Sequence, residues 1–302
     1  MATEGLEFTL NSDKQSYSVT GYTGTSAEVF IPEVYEGLPV KSIGDSAFRG
    51  CVSLVSVSLP SSLTGIGVAA FFHCAKLAGI TIPSSVTSIG QQAFDQSGLT
   101  SVDLPATLTS MGERAFENSA SLASVNFAVG SVLTSIVDLV FYNCTSLVSI
   151  SLPTSLTSIG LSAFEGCSAL TNVTLPASLT KIDVYAFEYC SSLKAIALPA
   201  SLTSLGAGVF YDCTSLTGIT IPDTITTLPF ATFHGCKGLK KVDLPASITA
   251  IKDWVFYNCS GLATLNYLGD KATWAKVTLG YQWNEGCTLL TAVTCTDGTV
   301  TL

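Results

Sequence analysis

Ser146-Leu147-Val148-Ser149-Ile150-Ser151-Leu152-Pro153-Thr154-Ser155-Leu156-Thr157-Ser158-Ile159-Gly160-Leu161-Ser162-Ala163-Phe164-Glu165-Gly166-Cys167 is the stretch on which the fold is decided. It is one copy of a unit that returns along the chain: Ser-Leu-x-x-Ile-x-Leu-Pro-x-Ser-Leu-Thr-x-Ile-Gly-x-x-Ala-Phe-x-x-Cys. Its phenylalanine recurs at Phe48, Phe71, Phe94, Phe116, Phe141, Phe164, Phe187, Phe210, Phe233 and Phe256, with seven of nine intervals equal to 23 residues. The opening leucine keeps step from Leu54 through Leu147 to Leu262. Ten registered copies predict a solenoid, because a unit this short cannot bury its apolar face alone and must stack on its neighbours.

The unit reads locally as well. Val57 and Leu59 alternate at period two, as a short strand with one inward face does. Pro60 ends that strand, having no N–H to give to a ladder. A second apolar pair follows, Leu63 and Ile66, and Gly67 is expected to open a turn. Ile43, Ala47, Phe48 and Cys51 fall at i, i+4, i+5 and i+8, the spacing of one face of a one- or two-turn helix. The fold class expected is therefore a repeat solenoid of about ten coils, with parallel strands on one side and turns or short helices on the other.

Exposed coil ends are open strand edges and need covers. Residues 1–30 are expected to hold an N-terminal cap hairpin, since Leu6, Phe8 and Leu10 alternate, Asn11-Ser12-Asp13 supplies a turn, and Tyr17 and Val19 alternate again. The solenoid is expected over 31–268. A C-terminal cap with Trp274, Tyr281 and Trp283 is expected over 269–302, all within one continuous structural domain. Residues 94–105 lose one residue and the cysteine. Residues 128–136 gain two and replace the proline with Ala128, which predicts a bulge or kink.

Composition narrows the functions. The 302 residues carry 13 Lys and Arg against 22 Asp and Glu, a net charge of −9. Nucleic-acid binding needs clustered cations and is not expected. The uncharged run from Gly50 to Ala75 is interrupted by Pro60 and six Ser or Thr, so it does not predict a spanning helix. Met1-Ala2-Thr3-Glu4 shows neither the basic nor the apolar region of a secretory signal, which fits a cytosolic chain or one already trimmed.

With only two histidines, acid–base and zinc chemistry have few carriers. His73 and His234 are seven coils apart and read as solvated surface side chains. Asp103 and Asp243 lie six coils apart, too far for a pair of catalytic carboxylates. Gly206-Ala207-Gly208 lacks the strand-to-helix setting of a phosphate loop. No catalytic, metal or cofactor site is expected. Eight cysteines (Cys51, Cys74, Cys144, Cys167, Cys190, Cys213, Cys236 and Cys259) share one repeat position and predict a buried thiol ladder, because side chains leaving parallel backbones in the same direction make poor disulfide geometry. Cys287 and Cys295 fall outside the repeat; they either bridge a hairpin in an oxidising compartment or remain two free thiols.

The repeat strongly resembles the BspA-like (Treponema pallidum-type) leucine-rich repeats, whose hallmark is a 23-residue unit with Leu-Pro, Ser-Leu-Thr-x-Ile-Gly and Ala-Phe-x-x-Cys. Gly37-Leu38-Pro39-Val40, running on to Ile43-Gly44, is similar to that family's entry into its first coil. The resemblance implies a non-catalytic surface or secreted protein that binds host matrix or other cell-surface proteins. The alternative is an internal scaffold that positions partner proteins. Two surfaces are candidates for the partner. One is the hydroxyl-rich strand face, including Asn172, Thr174 and Thr220. The other follows the turns: Phe72, Tyr142, Tyr211 and Tyr257 come directly after the repeat phenylalanine, with Trp254 nearby, and rings of this kind bury area with few rotatable bonds.

Overall fold

A computed structural model describes residues 2–302. The chain is a parallel-strand solenoid of about eleven turns, each of about 23 residues. It divides into two compact units, Met1–Ser155 and Leu156–Leu302.

Within the first unit, Glu28–Phe30, Ser56–Ser58 and Gly79–Ile80 pair in parallel, and so do Ser101–Leu104, Ser124–Phe127 and Ser149–Ser151. The first rung is thus Glu28–Phe30, in the segment expected to be cap. Equivalent residues of successive copies meet, Val102 beside Val125, because the repeat period equals the coil circumference. A second ladder joins Leu38–Ile43, Gly65–Ile66, Ser88–Ile89 and Ser110–Met111. That ladder stops one coil before the insertion at 128–136. The insertion does not bulge the strand, since Ser124–Phe127 keeps register with both neighbours. Its extra residues loop outward instead, leaving Val129 and Val132 exposed.

The second unit repeats the plan. Gly218–Thr220, Lys241–Leu244, Thr264–Tyr267 and Ala292–Cys295 form one parallel ladder. Ser158–Ile159, Lys181–Ile182 and Ser204–Leu205 form part of another. A further set joins Thr227–Leu228, Ala250–Ile251 and Thr278–Leu279. Rungs at 278–279 and 292–295 carry the solenoid past residue 268 into the segment expected to be cap, which accounts for about eleven turns rather than ten.

Each motif residue has a place in this stacking. The serine after the proline donates to a carbonyl one coil back, as Ser85 Oγ does to Leu63 and Ser201 Oγ to Leu179, and the following threonine does the same, as Thr87 Oγ1 does to Thr64. The phenylalanines stack face on face and are fully buried. Ring centroids from Phe48 to Phe71, Phe94, Phe116 and Phe141 are 5.1–5.6 Å apart, and those from Phe164 to Phe187, Phe210, Phe233 and Phe256 are 5.3–5.9 Å apart. Turn residues begin at Val68, directly after Gly67 as expected, and Gly67 itself lies outside the left-handed region. A side chain there would come within 2.7 Å of the Gly44 backbone, and one at Gly90 within 2.5 Å of Gly67. The Ile-Gly dipeptide marks a corner where coil backbones touch.

Of the turns or short helices expected beside the phenylalanine, the described residues form turns. Residues 45–50 are successive turns, with Ser46 (φ +58°) and Gly50 (φ +72°) in the left-handed region. Left-handed residues four apart break a right-handed helix. Alternate N–H groups are also taken by the next coil: Ser46 donates to Val68, Phe48 to Ala70 and Gly50 to Phe72, each at 2.8 Å. Hydrogen bonds between coils here replace the bonds within a helix that a segment this short would hold poorly.

At the start, Leu6–Leu10 pairs antiparallel with Tyr17–Tyr22, which pairs parallel with Leu38–Ile43. Tyr22 meets Phe48 at 5.5 Å and begins the ring stack. At the end, Ala292–Cys295 turns back antiparallel onto Gly298–Thr301, and Trp283 meets Phe256 edge-on at 6.2 Å. The helix Lys271–Trp274 is capped by Asp270, whose side chain accepts from Thr273 N.

All ten cysteines are free. In the ladder Cys74, Cys144, Cys190, Cys213, Cys236 and Cys259 donate to the phenylalanine carbonyl one coil back, as Cys74 does to Phe48 at 3.1 Å, Cys213 to Phe187 at 3.1 Å and Cys259 to Phe233 at 2.9 Å. Ser119 takes the same place where the cysteine is missing and donates to Phe94 at 2.8 Å. Cys51 is only half-buried. Cys287 belongs to the ladder, donating to Phe256 at 3.0 Å, so it lies outside the repeat in sequence spacing alone.

Candidate recognition surface on the turn segments

The position after each stacked phenylalanine forms a row on the turn side of the coils. In the first unit it reads Arg49, Phe72, Asp95, Glu117 and Tyr142; in the second, Glu165, Glu188, Tyr211, His234 and Tyr257. Because coils stack in register, neighbours in this row meet although 22–25 residues separate them.

The second unit gathers its rings into one cluster. His234 lies between Tyr211, at 4.3 Å and 6°, and Tyr257, at 5.0 Å and 13°. Trp254 is 6.0 Å from Tyr257 and 5.3 Å from Phe230, and its Nε1 donates to Gln282. Tyr189 meets Tyr211 edge-on at 5.9 Å. Trp254, Phe230 and Tyr189 are exposed by 37%, 41% and 47%, so the cluster has an open shoulder. Trp254, Tyr185 and Tyr189 are also left-handed, at φ +57° to +59°. Large side chains are disfavoured there, and the backbone tolerates them only because hydrogen bonds between coils hold it.

His234 is therefore not a solvated surface histidine. Burial between two rings lowers its pKa, with Asp212 opposing, and its Nδ1 is buried without a partner. Carboxylates adjoin the rings. Burial, with Glu165 and Asp212 nearby, pushes Glu188 up to about 7. Burial raises Tyr211 as well, assisted by Asp212, Tyr189 and Glu188. In the first unit, Asp95 and Glu117 are buried neighbours raised by desolvation, Glu117 also by Asp95, and Arg114 Nη1 bonds Glu117 at 3.2 Å. The sequence comparison of Asp103 with Asp243 missed both acid pairs. The available signal was an acidic residue after the phenylalanine in consecutive copies.

The eight residues singled out in the sequence fall into separate places. Tyr211, Trp254 and Tyr257 come together around His234. Phe72 lies in the first unit, half-buried under the Arg49 guanidinium, whose Cζ is 4.8 Å from the ring centre. Tyr142 is half-buried in the same unit. Asn172, Thr174 and Thr220 are exposed on strands. The Thr220 hydroxyl donates to Asp243, which also binds Lys241 at 3.0 Å and Asn266 at 2.7 Å. A shallow groove of about 690 Å³ lies beside Thr220, lined in part by Ala197, Gly218 and Asp223. Among the described residues, no three His, Cys, Asp or Glu side chains are arranged to hold a metal, and no helix is long and apolar enough to cross a membrane.

Residues 34–134 and 134–263 match, in six copies, the family described as BspA type leucine rich repeat region. The chain belongs to that family. This BspA-type chain is similar to a leucine-rich repeat protein from Bacteroides ovatus, with 28% identity over 96% of this chain and 81% of that one, and a TM-score of 0.74. It shares its fold with a leucine-rich repeat protein from Eubacterium ventriosum, at 19% identity over 94% and 93% and a TM-score of 0.52. A leucine rich cell surface protein from Faecalibacterium prausnitzii matches at 25% identity over 92% and 97%, with a TM-score of 0.47. Among curated proteins, none matches.

Proposed function

We propose that this BspA-type chain is a non-catalytic recognition protein, displayed at the cell surface or secreted, that binds a protein partner of the host matrix or of another cell. Membership of a leucine-rich repeat family supports a protein-binding scaffold. The observation that carries the reading to a particular surface is the ring cluster of Tyr211, His234, Tyr257, Trp254 and Phe230. Its open shoulder offers preordered aromatic area of the kind that dominates binding energy in protein interfaces.

Surface biotinylation and protease shaving of intact native cells, with a cytosolic control, test the location. Labelling of this chain without the control is expected, and protection until lysis would replace the adhesin with an internal scaffold. A folded Tyr211→Ala, Trp254→Ala, Tyr257→Ala variant is expected to lose binding to immobilised matrix proteins. Undiminished binding would move the site elsewhere on the molecule.

A further inference from the structure

Along the second unit the row after the phenylalanines is ordered by chemistry: Glu165 and Glu188, then the stacked rings of Tyr211, His234 and Tyr257. Asp212 joins the acidic end, where its charge acts on both Glu188 and Tyr211. Within residues 160–167, 183–190, 206–213, 229–236 and 253–259 there is no Lys or Arg, although Lys237 and Lys252 directly adjoin these segments. Neither Glu165 nor Glu188 makes an ion pair among the described residues. The acidic end is therefore a place where negative charge is held close together without a counter-charge.

The first unit shows what such a row accommodates. Arg49 and Phe72 occupy adjacent positions of the same row, and the guanidinium lies 4.8 Å above the ring of the next coil. Coil spacing thus suits a planar cation stacked on an aromatic neighbour. A guanidinium can also take a carboxylate through paired N–H donors, which an ammonium cannot match. In the second unit the carboxylate and the ring faces are both present, and the guanidinium is missing.

We propose that the row from Glu188 to Tyr257, with Trp254 and Phe230 as its shoulder, takes an extended arginine-bearing segment of the partner, a guanidinium seated between the Glu188 carboxylate and the aromatic faces. This rests on the protein-recognition reading above. From Glu188 to Tyr257 is three coil steps, about 17 Å by the ring spacing of the adjacent stack. Five extended residues span that distance at about 3.3 Å each. The charge of a bound cation would also offset the burial and repulsion that hold the Glu188 proton. Binding should therefore release protons and tighten as pH rises through neutrality, with Glu165, Asp212, Tyr211, Tyr189 and His234 as the titratable neighbours on this side.

The probe is fluorescein-Gly-Arg-Gly-Arg-Gly-amide, labelled at its N-terminus and compared with its citrulline counterpart, which keeps the shape and loses the charge. Anisotropy at physiological ionic strength is expected to show the arginine peptide bound about tenfold more tightly. Glu188→Gln and Trp254→Ala should each weaken it about tenfold. Asp223→Asn, which removes one exposed charge on a strand-side loop, should leave it unchanged. Equal binding of the two peptides, or equal losses in Glu188→Gln and Asp223→Asn, would overturn the proposal, the second by reducing it to diffuse attraction to an acidic chain. Circular dichroism establishes that each variant is folded, and Trp254→Phe should retain part of the affinity. Matrix binding by the whole chain that the arginine peptide cannot displace would sink this inference and leave the recognition reading intact. Displacement by the arginine peptide but not by the citrulline peptide would support both.

Discussion

The imidazole of His234 lies 4.3 Å from the ring of Tyr211 with the two planes 6° apart, and the ring of Tyr257 closes its other face. A protonated imidazole in that slot would lose part of its hydration. Its Nδ1, buried without a partner, would then carry a proton that nothing accepts.

His234 should therefore titrate below the ordinary histidine range. Because the unfolded chain takes up this proton first, the stability tied to the neutral imidazole is complete above the unfolded value of about 6.5 and is lost as pH falls below it. NMR titration of the imidazole should show the lowered midpoint. A midpoint at or above 6.5 would contradict the sandwich.

Glu188 carries the opposite sign. Its folded value of about 7 exceeds the reference of 4.5, so its contribution is complete below pH 4.5 and is lost as pH rises towards 7. Glu188→Gln should leave stability near pH 5 almost unchanged and raise it at pH 8. After allowance for solvent screening of a partly exposed group, the gain is about 1 kcal/mol. Denaturant melts at the two pH values measure the difference.

Two glycines should respond differently to the same methyl group. In Gly90→Ala the added carbon would lie 2.5 Å from the Gly67 backbone, and overpacking of this kind costs about 1–3 kcal/mol. Gly50→Ala meets nothing within 4 Å, but Gly50 is at φ +72°, and that alone costs about 1 kcal/mol. Gly50→Asn should recover part of the second loss and Gly90→Asn none of the first.

At Trp254 the usual order of small residues should be reversed. Since φ is +59°, Trp254→Gly should be more stable than Trp254→Ala by about 1 kcal/mol, although both remove the indole. Both should lose partner binding alike, which separates the backbone cost of this position from its use on the surface.

Thiol labelling of the native protein should modify Cys51 first. The other nine are buried, and desolvation raises most of them, Cys74 to about 12. Unfolding should expose all ten. Several fast-reacting thiols in the native state would argue against the Cys–Phe carbonyl ladder.

The repeat is legible in the sequence because stacking makes one local requirement recur every coil. Phe164 and its counterparts must fill the same slot, Pro153 and its counterparts must end the same strand, and Ser85 and its counterparts must reach the same carbonyl. A constraint imposed ten times survives substitution in individual copies, as Ser119 in the place of a cysteine shows. Around Ser46 and Gly50 the sequence left turns and short helices as alternatives and did not choose between them. The apolar spacing is that of a helix, and the left-handed residues there are Ser, Ala, Gln, Arg, Tyr and Trp as well as Gly and Asn.

The candidate surface divides in the same way. Sequence alone determined the coil type, the identity of the core residues and the presence of aromatic residues at one repeat position. Only the tertiary structure decided that His234 lies between Tyr211 and Tyr257 and that Glu188 lies beside Glu165 and Asp212. The periodic pattern records what each coil needs in order to stack. Which side chains meet across coils depends on register and on a few ångströms of spacing, and a single copy of the repeat carries neither.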